Sequence, residues 1–317
     1  MNGESVLLLG GTGFLGTALA RRLARENWDV CVVGRRAFNP VLPGVISRRA
    51  SLDDEAMLRE LLPRCRTVVH LASTTTPGSS AASPVREAEE NVLPALRLLQ
   101  VLAEFEPIRL VYVSSGGTLY GNPAVLPVPE DQPLWPLSNH GVGKVAVEGF
   151  LRVYGGQHRE RVTVLRPSNV YGPGQVLRKG FGAIRTMLEH ARQGTAMEFW
   201  GDGETVRDYL FIEDWVEACW RLLAPGAPVG VYNVGVGEGC SLNTLRAVVE
   251  RVTGRELRVR WMPARAVDVR GVVLDSTRLR TATGWTPQIT LEEGVRRMWH
   301  WLLENSGSDS ERDSHDG

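Results

Sequence analysis

Three glycines, Gly10, Gly13 and Gly16, stand at three-residue intervals in the run GGTGFLG, directly after the apolar residues 6–9. A turn that tight needs residues without Cβ atoms, and it lets backbone amides approach a pyrophosphate. The helical segment that follows, opening with Phe14 and Leu15, offers its unsatisfied N–H groups and the positive end of its dipole to the anion. Glycines also mark ordinary turns; the strand–loop–helix setting points instead to a dinucleotide. A second cluster closes the next apolar run, CVVGRR. Gly34 occupies the place of a ribose-binding carboxylate, and Arg35 and Arg36 follow. Two guanidiniums there suit the 2′-phosphate of NADP(H), which favours NADP over NAD; the alternative is a solvated basic pair closing a strand.

The elements that must position these groups alternate from the first residues. Segments 6–9, 30–33, 67–71, 110–113 and 162–165 are near-continuously apolar, as strands covered on both faces are. Helix-period segments at 14–26, 53–62, 86–106 and 139–154 separate them. That rhythm predicts an α/β protein with a Rossmann-type doubly wound parallel sheet and right-handed crossovers. After Pro173 the rhythm breaks into mixed pieces, with helices near 181–193, 214–223 and 242–253 and a strand at 197–200. The expected organisation is a dinucleotide-binding domain over 1–173, to which segments near 207–236 return, and a smaller α+β substrate-binding region over 174–305. The polar, aperiodic residues 306–317 are expected to form a disordered tail.

The bulk numbers exclude several classes. The 317 residues carry 36 acidic and 36 basic side chains, so no net field draws nucleic acid or an anionic membrane. Apolar runs are strand-sized, too short to span a bilayer. The first residues lack the basic and apolar regions of a secretory leader, and the four widely spaced cysteines read as ordinary thiols rather than a disulfide or zinc framework, so a cytoplasmic protein without a metal is expected.

Further motifs occur in order: VVHLAS at 68–73, Asn91 in a helix, VYVSSGGTLYG at 111–121, HGVGKVAVE at 140–148, LRPSNVYGPGQ at 165–175, GDGETVRDYLFIEDW at 201–215, YNVGVGEGCSL at 232–242 and GWTP at 284–287. With GGTGFLG they resemble the extended short-chain dehydrogenase/reductase family, in its nucleotide-sugar epimerase/dehydratase branch, from about Ser5 to Leu303. The resemblance implies that His70, Leu71, Ala72 and Ser73 line an NAD(P) cofactor and that Lys144 holds the nicotinamide ribose while tuning a neighbouring acid/base. It implies that Asn169, Arg207 and Arg265 meet the phosphates of a nucleotide-sugar substrate. It also implies a homodimer, packed through helices 86–106 and 139–154.

Two positions depart from the family pattern. Where the family carries Tyr-x-x-x-Lys this chain reads His140-Gly-Val-Gly-Lys144, with both side chains on one helix face. The ammonium should lower the imidazole's pKa and keep it neutral, able to accept a proton. The slot of the family's serine or threonine that polarises the sugar oxygen holds Gly116, flanked by Ser115 and Thr118, either of which has a hydroxyl to substitute. The expected activity is that of a UDP-hexose 4-epimerase working through a transient 4-keto intermediate. An NADPH-dependent 4-ketosugar reductase and a non-catalytic nucleotide-sugar binding protein are the alternatives.

Overall fold

A strand that is apolar on every residue must bury both faces, and the computed structural model shows how this happens. It describes residues 4–39, 41–76, 78–81, 83–105, 108–158, 161–178, 180–264 and 269–305. Seven parallel strands form one sheet: β1 (Ser5–Leu9), β2 (Asp29–Gly34), β3 (Val45–Arg49), β4 (Thr67–His70), β5 (Arg109–Val113), β6 (Val162–Pro167) and β7 (Gly230–Val234). Their order across the sheet is β7-β6-β5-β4-β1-β2-β3. Side chains alternate between faces along a strand, and β1 divides accordingly. Val6 and Leu8 join a core with Leu19 and Leu23 of helix Phe14–Arg25 and Trp215 and Leu222 of helix Ile212–Leu223. Leu7 and Leu9 face the other way, among Leu58, Leu98, Val147 and Leu151. The doubly wound α/β architecture is therefore the one the sequence implies.

Strand β3 has no apolar signature. Its residues VISRR are mostly exposed, and it is held to β2 at the sheet edge chiefly by backbone pairing, with Val45 alone packed on the core, while charged side chains guard against further pairing. The helix expected over 86–106 is instead three pieces: Pro84–Glu87, a π-helical turn Ala88–Val92, and Leu93–Leu102. Pro94 has no N–H for the Glu90 carbonyl and its ring crowds that turn, so the wider π turn just before it relieves both faults.

Beyond β6, helices Ala183–Gln193, Leu242–Thr253 and Leu291–Glu304 pack with the parallel pair Met197–Trp200 and Val259–Met262. Their apolar residues, including Phe199, Leu245 and Met298, belong to the same core as β1 and helix Phe14–Arg25. Arg265 and residues 306–317 lie outside the described residues. No described helix is long and apolar enough to cross a membrane.

The chain reverses its winding between β1 and β4, which lie side by side. A crevice opens at such a switch point, outside the carboxyl ends of the strands. The loops that follow β1, β4 and β5 meet there.

Candidate active site

The loop after β1 is shaped by close approach. Gly10 has φ +83°, and a Cβ there would lie 2.6 Å from the Cα and N of Ala72, after β4. Its N–H donates to the Val33 carbonyl at 2.8 Å. A Cβ at Gly16 would lie 2.4 Å from Gly11 Cα, so only glycine lets the helix rest on its own loop. Gly13 caps that helix without a side-chain acceptor, and the first turn carries no acid. These features fit a dinucleotide pyrophosphate, with Phe14 and Leu15 in the first turn and Leu71–Ser73 forming the opposite wall. At Gly34 a Cβ would lie 2.1 Å from Thr12 Oγ1, so a ribose-binding acid there would require the Thr12 side chain to shift. Arg35 and Arg36 are exposed beside it, and Arg49 Nε donates to the Arg35 carbonyl at 3.0 Å.

Helix Asn139–Gln157 carries the central pair. Ser138 caps it, accepting the Gly141 N–H at 3.1 Å. His140 and Lys144 are both buried on its inner face. Lys144 Nζ donates to the Val113 carbonyl at 3.0 Å and stands 4.8 Å from the Tyr112 ring centroid. Burial lowers its pKa to about 8, opposed by the charges of Glu87 and Glu148. Burial first, and Lys144 second, bring the imidazole of His140 down to about 3. The direction agrees with the sequence reading, although desolvation outweighs the ammonium. His140 Nδ1 lies 3.1 Å from Thr75 Oγ1, which donates to Glu87 Oε2 and accepts from Asn91 Nδ2 at 3.1 Å. Asn91 Oδ1 in turn accepts the Thr74 N–H at 2.9 Å, so the π turn ties the segment after β4 to the site.

The hydroxyl positions are set by the one-turn helix Gly116–Leu119. A Cβ at Gly116 would lie 2.5 Å from Leu274 Cδ1 and 2.9 Å from the Arg166 carbonyl, so no serine or threonine fits that slot. Ser115 is the N-cap and makes no capping bond. Thr118 Oγ1 is buried without a partner among the described residues. The same turn borders Asn169, whose Oδ1 would be 2.9 Å from a Cβ at Gly117.

Arg207 lies half-buried on the short strand Val206–Arg207 and donates to the Val206 carbonyl at 2.8 Å. Its neighbour Asp208 is buried and accepts from the amides of Val236, Gly237 and Leu274. Asp208 is thus a brace for the 236–237 and 274 backbone.

Several contributors left no sequence signal. Thr75 and Glu87 belong to no spacing pattern. Arg166 is buried, bonded through Nε and Nη2 to Glu148 and through Nη1 to the Tyr120 hydroxyl at 2.8 Å. Tyr120 donates to Asn233 Oδ1 at 2.7 Å, and burial pushes the phenol up to about 12, so its hydroxyl is engaged in this network. Alternating strand positions place Arg166 inward on β6, a hint that its charge hides in an apolar run.

The fold and these loops define a Rossmann-type, dinucleotide-binding enzyme scaffold with a buried His–Lys pair at its switch point. Residues 6–235 match the model of the NAD dependent epimerase/dehydratase family, and the chain belongs to that family. It is 31% identical over 311 residues to a UDP-glucose 4-epimerase of Mycolicibacterium smegmatis, covering 95% of this chain and 99% of the relative. A Thermotoga maritima UDP-glucose 4-epimerase solved with UDP-glucose is similar at a TM-score of 0.89 and 30% identity, over 95% of this chain and 99% of that one. A Thermus thermophilus UDP-glucose 4-epimerase solved with NAD gives 0.88 and 30%, over 94% and 99%.

A consequence for stability follows from the histidines. His70, at the end of β4, is also buried and brought down to about 3, by burial first and Lys144 second. Both imidazoles have folded pKa values below the usual 6.5, so the unfolded chain takes up protons that the folded one refuses. Their stabilising contribution is complete above pH 6.5 and is lost as pH falls toward 3, by up to roughly 1.4 kcal/mol per pH unit for each. Urea unfolding between pH 7 and 4 should show a shallower loss in His140→Gln than in the parent. Equal slopes would mean that His140 protonates in the folded state.

Proposed function

We propose that this chain is a nucleotide-sugar 4-epimerase acting on a UDP-hexose. The observation that carries the reading is the buried His140–Lys144 pair at the carboxyl end of β5, on a chain that shares its fold over 95% of its length with a UDP-glucose 4-epimerase. When bound, the dinucleotide supplies hydride acceptance and return at C4 of the sugar. His140, neutral at physiological pH, takes the proton of the 4-hydroxyl and later returns it to the opposite configuration. Lys144 contributes a fixed positive charge that favours the developing alkoxide. Thr118 or Ser115 donates a hydrogen bond to the same oxygen, and Asn169 with Arg207 holds the diphosphate.

UDP-glucose should be converted to UDP-galactose, and back, without net change in nicotinamide absorbance. His140→Ala should lower kcat by about a hundred- to ten-thousand-fold with little change in KM, the range of general acid–base catalysis. Arg207→Ala should raise KM instead. Stoichiometric loss of reduced cofactor would make the protein a ketosugar reductase. Tight binding without turnover of any nucleotide sugar would make it a binding protein.

For the cofactor, Gly34 beneath Thr12, with Arg35 and Arg36 exposed beside it, supports NADP(H) over NAD(H). Calorimetry should give tighter binding of NADPH than NADH, and Arg35→Asp should reduce that preference by about 1–3 kcal/mol. Equal affinities in the parent would contradict it.

For assembly, Val85, Leu93, Val142, Phe150 and Val153 are 44–64% exposed, all on helical segments 84–102 and 139–157, which lie against each other. Such a patch suits a twofold pairing into a four-helix bundle. Sedimentation should show a dimer for the parent and a monomer for Phe150→Glu; a monomeric parent would exclude the pairing.

A further inference from the structure

With Glu87 as a carboxylate, the hydrogen-bond inventory around Thr75 closes in one way. A hydroxyl has one proton to give and two lone pairs to accept with. Thr75 Oγ1 gives its proton to Glu87 Oε2, and it accepts from Asn91 Nδ2 at 3.1 Å. The remaining contact, His140 Nδ1 at 3.1 Å, must therefore be a donor. Glu87 meets donors on both oxygens, since Oε1 accepts from Asn91 Nδ2 at 3.1 Å. The His140 ring thus carries its hydrogen on Nδ1, and nothing among the described residues bonds Nε2.

The helix is built to admit this carboxylate. A Cβ at Gly143 would lie 2.6 Å from Glu87 Oε1 and 2.9 Å from its Cγ, so the glycine between His140 and Lys144 is the space Glu87 occupies. Glycine inside a helix is destabilising by roughly 0.5–1 kcal/mol relative to alanine, a cost that the close approach of Glu87 explains at this position. His140 is held on its other side, where its N–H donates to the buried Ser80 Oγ at 3.1 Å. Glu87 Oε1 stands 4.0 Å from His140 Nδ1, the only carboxylate paired with that ring among the described residues.

Resting on the epimerase reading above, we propose that Thr75 and Glu87 are positioning residues that fix His140 as the Nδ1–H tautomer and relay its proton to the Glu87 carboxylate. As the substrate O–H bond breaks, a bond forms from that proton to Nε2. Nδ1–H then breaks as a new bond forms to Thr75 Oγ1, and the original Thr75 proton passes to Glu87 Oε2. The ring ends neutral with its hydrogen on Nε2, and the sequence reverses when the hydroxyl is rebuilt. No imidazolium has to exist beside the buried ammonium of Lys144. The charge displaced from the sugar oxygen is instead cancelled at a carboxylate.

Nitrogen NMR of the ring-labelled protein without ligand reads the tautomer directly. The parent should show His140 protonated on Nδ1, and Thr75→Val should lose that preference. A parent protonated on Nε2 overturns the assignment, whatever the variants do. In single-turnover hydride transfer, Thr75→Ser should stay close to the parent, whereas Thr75→Val and Glu87→Gln should slow by about a hundredfold or more with KM nearly unchanged. Glu87→Gln at the parent rate would overturn the relay. A parent with the Nδ1–H tautomer that turns over no nucleotide sugar would sink the epimerase reading and the relay with it, and would leave the tautomer standing.

Discussion

The buried ammonium of Lys144 is the constraint that the surroundings of the site satisfy. A cation taken out of water is costly unless anions and oriented dipoles replace its hydration. Here the Val113 carbonyl accepts from it, the Tyr112 ring lies beneath it, and Glu87 and Glu148 oppose its discharge. Glu148 is shared with Arg166, whose guanidinium continues to Tyr120 and the Glu130 carbonyl. Asn233 receives the Tyr120 hydroxyl and donates its own N–H to Glu130. One chain of charges and hydrogen bonds therefore runs from the site helix through β6 to β7. Removing a single member would strand the others, which in buried pairs costs about 3–5 kcal/mol.

The same constraint explains the imidazole. Beside Lys144 and away from water, a charged ring is strongly disfavoured, so in the proposed mechanism His140 is a neutral base that needs an anion nearby to complete a proton transfer. Glu87 is that anion, reached through Thr75 and admitted by Gly143. Gly141 has a different reason, because a Cβ there would lie 2.7 Å from the Thr118 carbonyl and Pro136. The two glycines of the HGVGK segment each make room for a neighbour, one for the hydroxyl-bearing turn and one for the carboxylate.

Much of this was legible in the amino-acid order. The continuous apolar runs of β1, β2, β4, β5 and β6 announce a doubly covered sheet, and the glycine loop announces its ligand, because both follow from local rules of period and sterics. Strand β3 was hidden because an edge strand relies chiefly on backbone partners, and VISRR buries only part of Val45. The π turn at 88–92 was hidden because it answers to Pro94 and to the site at once. His140, Lys144, Ser115 and Thr118 could be named from motif position, whereas Thr75 and Glu87 could not. Their roles depend on a loop and a helix meeting 12 residues apart in sequence and 65 and 53 from His140, distances at which no periodicity survives. The empty serine slot at Gly116 likewise looked like a loss until Leu274 was seen to fill the space.

The central claim is that a neutral, deeply buried His140 is the base. The pH dependence of single-turnover hydride transfer between pH 7 and 5 tests it most directly, with His140→Ala as the reference. An imidazole brought down to about 3 predicts a flat rate over this range, because the ring stays able to accept a proton throughout. A fall centred near the ordinary histidine value, absent in His140→Ala, would show that the ring is charged at rest and would contradict the account.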